Sequence, residues 1–81
     1  MSRRVKGIIC VNTEMLKCLV ELSNKEYGGV NVVEFLKRYP DTQKLRDELS
    51  NIEMLGYIEV VYADDEIDTI TIETDGYAYF R

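Results

Sequence analysis

"LSNIEMLGYIEV" (residues 49–60) changes its hydrophobic period in the middle, and that change decides the fold. Leu49, Ile52 and Leu55 recur at the spacing of one helix face. After Gly56 the apolar positions Ile58 and Val60 alternate with Glu59, the spacing of a half-buried strand. Gly56 falls between the two patterns, where a helix needs a residue that tolerates the left-handed region. A helix that stops and a strand that starts within three residues point to an α+β chain.

Upstream, "QKLRDELSNIEML" extends the helical stripe back to Leu45, and Asp41 or Thr42 can cap it, so a helix is expected over about 42–55. Pro40 disfavours helical geometry at Tyr39 and must end the preceding helix there. That helix, 31–39, opens on Asn31 with Glu34 three residues on, the spacing of a reciprocal cap. Val32, Phe35, Leu36 and Tyr39 share its inner face. Before it, Met15, Leu19 and Leu22 form a stripe with Leu16 and Cys18 at its edges. Asn12 or Thr13 can cap this first helix, expected over about 13–27 and stopped by Gly28-Gly29. "VKGIICV" (5–11), short and rich in β-branched residues, is read as a strand.

Downstream, "YIEVVY" and "DTITIE" alternate on either side of a polar turn, which predicts a β-hairpin over 57–73. Ile58, Val60 and Tyr62 fall on one face, as do Ile70 and Ile72. "TDGYAYFR" is long enough for a short final helix. Three helices with one apolar stripe each, and a hairpin with one apolar face, pack most economically as a tri-helical core flanked by a β-ribbon. The 81 residues make a single domain, 1–81, near the lower size limit for one core.

Charge is uneven. Residues 1–36 carry +1, residues 37–46 carry +3 through Lys37, Arg38, Lys44 and Arg46 against Asp41, and residues 47–81 carry −9. No apolar run approaches the roughly 18 residues of a membrane span. The N-terminal apolar patch is about five residues, shorter than the roughly 7–15 of a signal peptide. A soluble cytoplasmic protein with no membrane partner is expected. Cys10 and Cys18 read as buried or half-buried thiols, not as a disulfide framework or a zinc site.

The acidic stretch "YADDEIDTI" (62–70) spaces Asp64, Glu66 and Asp68 like calcium ligands. Thr69 stands where such a loop needs glycine, and the strand pattern of 69–73 contradicts a loop-to-helix unit. The stretch is therefore read as a solvated turn that discourages edge pairing, with a basic protein partner as the alternative. With no histidine, no activating base for either cysteine and no glycine-rich phosphate loop, neither an enzyme nor a cofactor is expected.

Two stretches resemble a known family. "LSNIEMLGYIEV" is similar to the L-x-x-L-x-x-x-G-Y-I segment of winged helix-turn-helix domains, found in small bacterial and phage DNA-binding proteins. "ITIETDGYAYF" (70–80) resembles their second wing strand and L-T-x-x-G-x-x-Y-L ending, with Ile72, Gly76, Tyr79 and Phe80 in the matching places and Glu73 where threonine is usual. The likeness runs over roughly 13–80. It implies a winged helix with 42–55 as recognition helix and 57–73 as wing, binding double-stranded DNA as a transcriptional regulator.

On that reading Gln43, Arg46, Asp47 and Ser50 point outward, flanked by Lys44 and Asn51. Gln and Arg can read base edges bidentately, and Lys37, Arg38 and Lys44 can neutralise phosphates. Thr42 completes the expected DNA-binding set. Asp47 and the acidic hairpin tip oppose a phosphate track. Arg3, Arg4 and Lys6 are a DNA-contacting arm or plain terminal charge. The alternatives are a protein-interaction or dimerisation module without DNA binding, to which exposed Met54 and Val20 would contribute, and an acidic mimic of nucleic acid. A homodimer is expected, with strand 5–11 pairing with its copy or with the open edge of the hairpin.

Overall fold

A computed structural model describes residues 11–80, so the expected strand 5–11 lies outside the described residues except for Val11, as do Cys10 and the basic residues Arg3, Arg4 and Lys6. The order is α1 (Thr13–Glu21), α2 (Val32–Arg38), α3 (Gln43–Met54), β1 (Ile58–Ala63), β2 (Glu66–Ile72) and α4 (Thr74–Ala78). This is an α+β arrangement of helices with an antiparallel hairpin.

Side chains start the three larger helices. Asn12 accepts from the Met15 amide, Asn31 from the Glu34 amide and Thr42 from the Leu45 amide. Each such cap satisfies an orphan N–H and is worth roughly 1 kcal/mol. Only half of the reciprocal cap expected at α2 forms. The Glu34 carboxylate turns to Lys37 at 3.1 Å, and the Asn31 N–H donates to the Leu22 carbonyl instead. Tyr39 leaves α2 in an extended conformation (φ −129°, ψ 87°), as Pro40 requires. Gly56 ends α3 at φ +84°, with its N–H on the Glu53 carbonyl.

The first helix stops at Glu21, six residues before the expected end. Beyond it the backbone bends back on itself. The Asn24 side chain accepts from the amides of Glu26 and Tyr27, and a bridge joins Ser23 to Val30. The returning chain pairs with the outer edge of β2: Val30 N–H donates to the Ile70 carbonyl and Ile72 N–H to the Gly28 carbonyl, both at 2.8 Å. Those strand-edge bonds outcompete further helix. Gly28 (φ +75°) serves this close approach, since a Cβ there would press on the Ile72 carbonyl oxygen.

The hairpin turns on Asp64 and Asp65, both at positive φ (53° and 64°), the geometry of a tight two-residue turn. Between Val61 and Tyr62 the register slips, leaving Asp68 unpaired as a bulge. The slip brings Ile67 to the same inner side as Ile70 and Ile72, and it is buried. Tyr62, expected on that side, is 43% exposed.

The core joins Met15, Leu16, Cys18 and Leu19 of α1, Phe35 of α2, Leu45, Leu49 and Ile52 of α3, and Ile58, Ile67, Ile70 and Ile72 of the hairpin. Fully burying side chains of this size contributes roughly 1.5–3 kcal/mol each. Leu22, Val32, Leu36 and Tyr39 pack against this core only partly. Two expectations fail here. Leu55 caps α3 and is 37% exposed instead of completing its stripe, and Val20 is half-buried against the core instead of facing solvent. Met54 is 69% exposed, on the outer side as expected.

Helix α4 closes the hairpin end. Glu73 occupies its N-cap position but makes no side-chain cap; its carbonyl takes the Gly76 and Tyr77 amides. Gly76 is buried against the Tyr57 carbonyl, and Tyr79 meets Tyr57 edge-on at 5.3 Å.

Candidate nucleic-acid interface

The α2–turn–α3 unit presents most of the expected DNA-binding residues. Pro40 and the Thr42 cap fix the bend between the helices, so the end of α2 and the start of α3 share one surface. There Arg38, Thr42 and Lys44 line a cleft of about 370 Å³ together with Asn12, Pro40 and Glu48. Its inner wall is apolar, made by Met15 and Leu45. Glu48 is held by Asn12, whose Nδ2 donates to Oε1 at 3.0 Å. Tyr39 also lines the cleft, and its hydroxyl is pushed above its ordinary pKa first by burial and then by electrostatic interaction with Cys18, Glu14 and Glu48, with Arg38 opposing.

The expected contact residues differ in how far the fold already occupies them. Lys44 is exposed and has no carboxylate within ion-pair distance among the described residues. The same holds for Arg38, whose Nη1 donates instead to Cys18 Sγ at 3.6 Å. Lys37 pairs with Glu34 at 3.1 Å in solvent, an interaction worth little. Thr42 is occupied as the cap of α3. Gln43 donates from Nε2 to Asp47 Oδ1 at 2.9 Å, one turn along the exposed face. Ser50 is exposed and Asn51 half-buried further along the helix.

Arg46 is turned away from this set. Its Nε and Nη2 donate to the two oxygens of Asp41 at 2.8 and 2.9 Å. Nη2 also donates to the Asp65 carbonyl at 2.6 Å, and the guanidinium lies 5.1 Å from the centre of the Tyr62 ring. One cation therefore links the α2–α3 turn, α3 and the hairpin tip. The hydrogen bond from Arg46 is the main reason the Asp41 carboxyl is held below its usual range, and the same bond raises Arg46.

The hairpin tip carries four exposed acidic side chains: Asp64, Asp65, Glu66 and Asp68 all face solvent. Thr69 donates to Asp68 at 2.8 Å. Through the Asp65 carbonyl these charges are tethered to the N-terminal half of α3, the end a groove-reading helix would insert.

A second carboxylate organises the other side of the hairpin. Because Ile70 and Ile72 bond outward to residues 28–30, residues 69 and 71 bond β1, and the backbone of Val60 points to the open edge. Its N–H donates to Glu53 Oε2 at 3.0 Å. Asp41, Tyr62 and Glu53 are the structural partners that sequence patterning missed. Asp41 was readable only as a possible cap, and nothing in the local pattern links Glu53 to a strand seven residues on.

Among the described residues, no three Cys, Asp or Glu side chains are placed to hold a metal ion together, and no helix is long and apolar enough to cross a membrane. No family model, curated protein or solved structure matches the chain.

Proposed function

We propose that the helices and hairpin form a winged helix that binds double-stranded DNA, as a small cytoplasmic transcriptional regulator reading the major groove with α3. The observation that carries the reading is the pair Arg38 and Lys44. Both cations lie at one cleft beside the start of α3, with no carboxylate bonded to them among the described residues. Gln43 and Ser50 are exposed on the same helix and have the chemistry to read base edges. In this reading Arg38 and Lys44 contact phosphates, Lys37 adds long-range attraction, and Thr42 serves as the cap that aims the helix.

A second reading, a protein-interaction or dimerisation module without DNA binding, draws on two observations. The acidic tip adjoins α3, and Met54, Val61 and Tyr62 expose large apolar side chains on α3 and β1. Repulsion between one tip carboxylate and one phosphate at close range costs on the order of 1 kcal/mol or more at moderate screening.

Titration of a duplex against salt separates the two. The regulator reading expects micromolar or tighter binding at low salt. It also expects Arg38→Ala/Lys44→Ala to weaken binding and to flatten the log–log salt slope by about 2, since each lost phosphate contact removes roughly 0.9. Absence of binding at low salt leaves the interaction module as the function.

A further inference from the structure

Arg46 is held by a two-pronged ion pair within the chain. Its Nε and Nη2 grip both oxygens of Asp41 side by side, the two-pronged arrangement a guanidinium uses on a phosphate. The side chains of Arg46 and Asp41 are each 29% exposed, so the pair is open to exchange from solvent. Arg46 also lies on α3 between Gln43 and Ser50. Two further contacts define its resting position, the Asp65 carbonyl and the Tyr62 ring.

We propose that Asp41 is an internal stand-in for a DNA phosphate: it occupies the Arg46 fork and so holds the α3 surface in a low-affinity state. The inference rests on the DNA-binding reading above. Duplex binding by Arg46 requires a backbone phosphate to displace the Asp41 carboxylate, and the cation gained is then offset by an anion left unpaired. Arg38 and Lys44 carry no such internal competitor among the described residues and make contact first. The same exchange frees the Asp65 carbonyl and lets the acidic tip move away from the phosphate track.

The test uses the full chain and a generic duplex of about 20 base pairs, long enough to span two helical turns. Asp41→Asn is compared with Asp47→Asn, which removes the same charge from the same surface without touching Arg46. Asp41→Asn, and likewise Asp41→Ala, is expected to tighten binding about tenfold at 50 mM salt and to steepen the salt slope by about 0.9, the signature of one added phosphate contact. Asp47→Asn is expected to give a smaller gain with an unchanged slope. Adding Arg46→Ala to Asp41→Asn is expected to abolish the gain. Equal gains from Asp41→Asn and Asp47→Asn, or a gain that survives Arg46→Ala, overturn the proposal while leaving DNA binding intact. If neither the wild type nor any Asp41 variant binds duplex, this proposal and the regulator reading fall together.

Discussion

The Glu53 carboxylate of α3 accepts the Val60 N–H of β1 at 3.0 Å, so a helix side chain occupies an amide on the open edge of the hairpin. The opposite edge is already paired with residues 28–30. Of the two partners expected for strand 5–11, the open edge of the hairpin therefore has an acceptor already in place at Val60. An unpaired edge is a template for association, and a charged side chain placed on it is one defence.

Glu53→Ala is expected to leave that N–H without a protein acceptor and to cost about 1.5 kcal/mol, the low end for a hydrogen bond to a charged group because the site is partly solvated. It should also introduce concentration-dependent self-association, while Glu53→Gln, which keeps an acceptor, should stay near the wild type. Urea denaturation and sedimentation read the two effects. A monomeric, equally stable Glu53→Ala protein contradicts this role of Glu53.

Gly76 and Gly29 make a matched pair. A Cβ at 76 would overlap the Tyr57 carbonyl, a backbone atom that cannot swing aside, whereas at 29 nothing lies within 4 Å. Gly76→Ala should destabilise by roughly 1–3 kcal/mol through overpacking, and Gly29→Ala should be neutral or stabilising by up to about 1 kcal/mol. The denaturant midpoint is expected to fall for Gly76→Ala and to hold or rise for Gly29→Ala. Similar losses at both sites refute the close packing of α4 on Tyr57.

The Asp41–Arg46 pair makes stability depend on pH in a definite direction. The Asp41 carboxyl is depressed in the folded chain, first by its hydrogen bond to Arg46. The unfolded chain, with an ordinary value of about 3.9, takes up the proton first as acidity rises. The stabilisation is therefore complete above that ordinary value and disappears as pH falls through the lower folded one. The charged and titratable groups around the pair are Arg46 itself and, from the hairpin, Asp65 and Tyr62. The stability gap between wild type and Asp41→Asn should be constant from about pH 7 to 5 and narrow below about pH 4. A gap that does not vary with pH would mean the pair adds nothing to folding.

What could be read from the chain, and what could not, follows the range of each interaction. Asn31 and Thr42 announce their helices because a cap acts within one turn, and Pro40 and Gly56 announce the stops because they restrict or free their own backbone. Ile67 gave no such signal: counted by twos from Ile70 it falls on the wrong face, and only the bulge at Asp68 turns it inward. The end of α1 misled for a similar reason. The turn at Asn24 is local, its side chain accepting from the Glu26 and Tyr27 amides, but the bonds that hold residues 28–30 in place belong to a strand some forty residues later. Of the expected site, Arg38, Lys44, Gln43 and Ser50 are displayed as their helical phase suggested, whereas Arg46 is drawn to Asp41 and the hairpin tip.

The amino-acid order alone determined where helices begin, where the period changes from 3.6 to 2, and which faces are apolar, because capping, steric restriction and burial periodicity act over a few residues. Tertiary structure alone decided which cations remain available on α3, how the hairpin is slipped, and what covers its edges. Those outcomes are set by partners distant along the chain, and hydrogen bonds and ion pairs of similar local strength are chosen only when the folded core brings one candidate within reach.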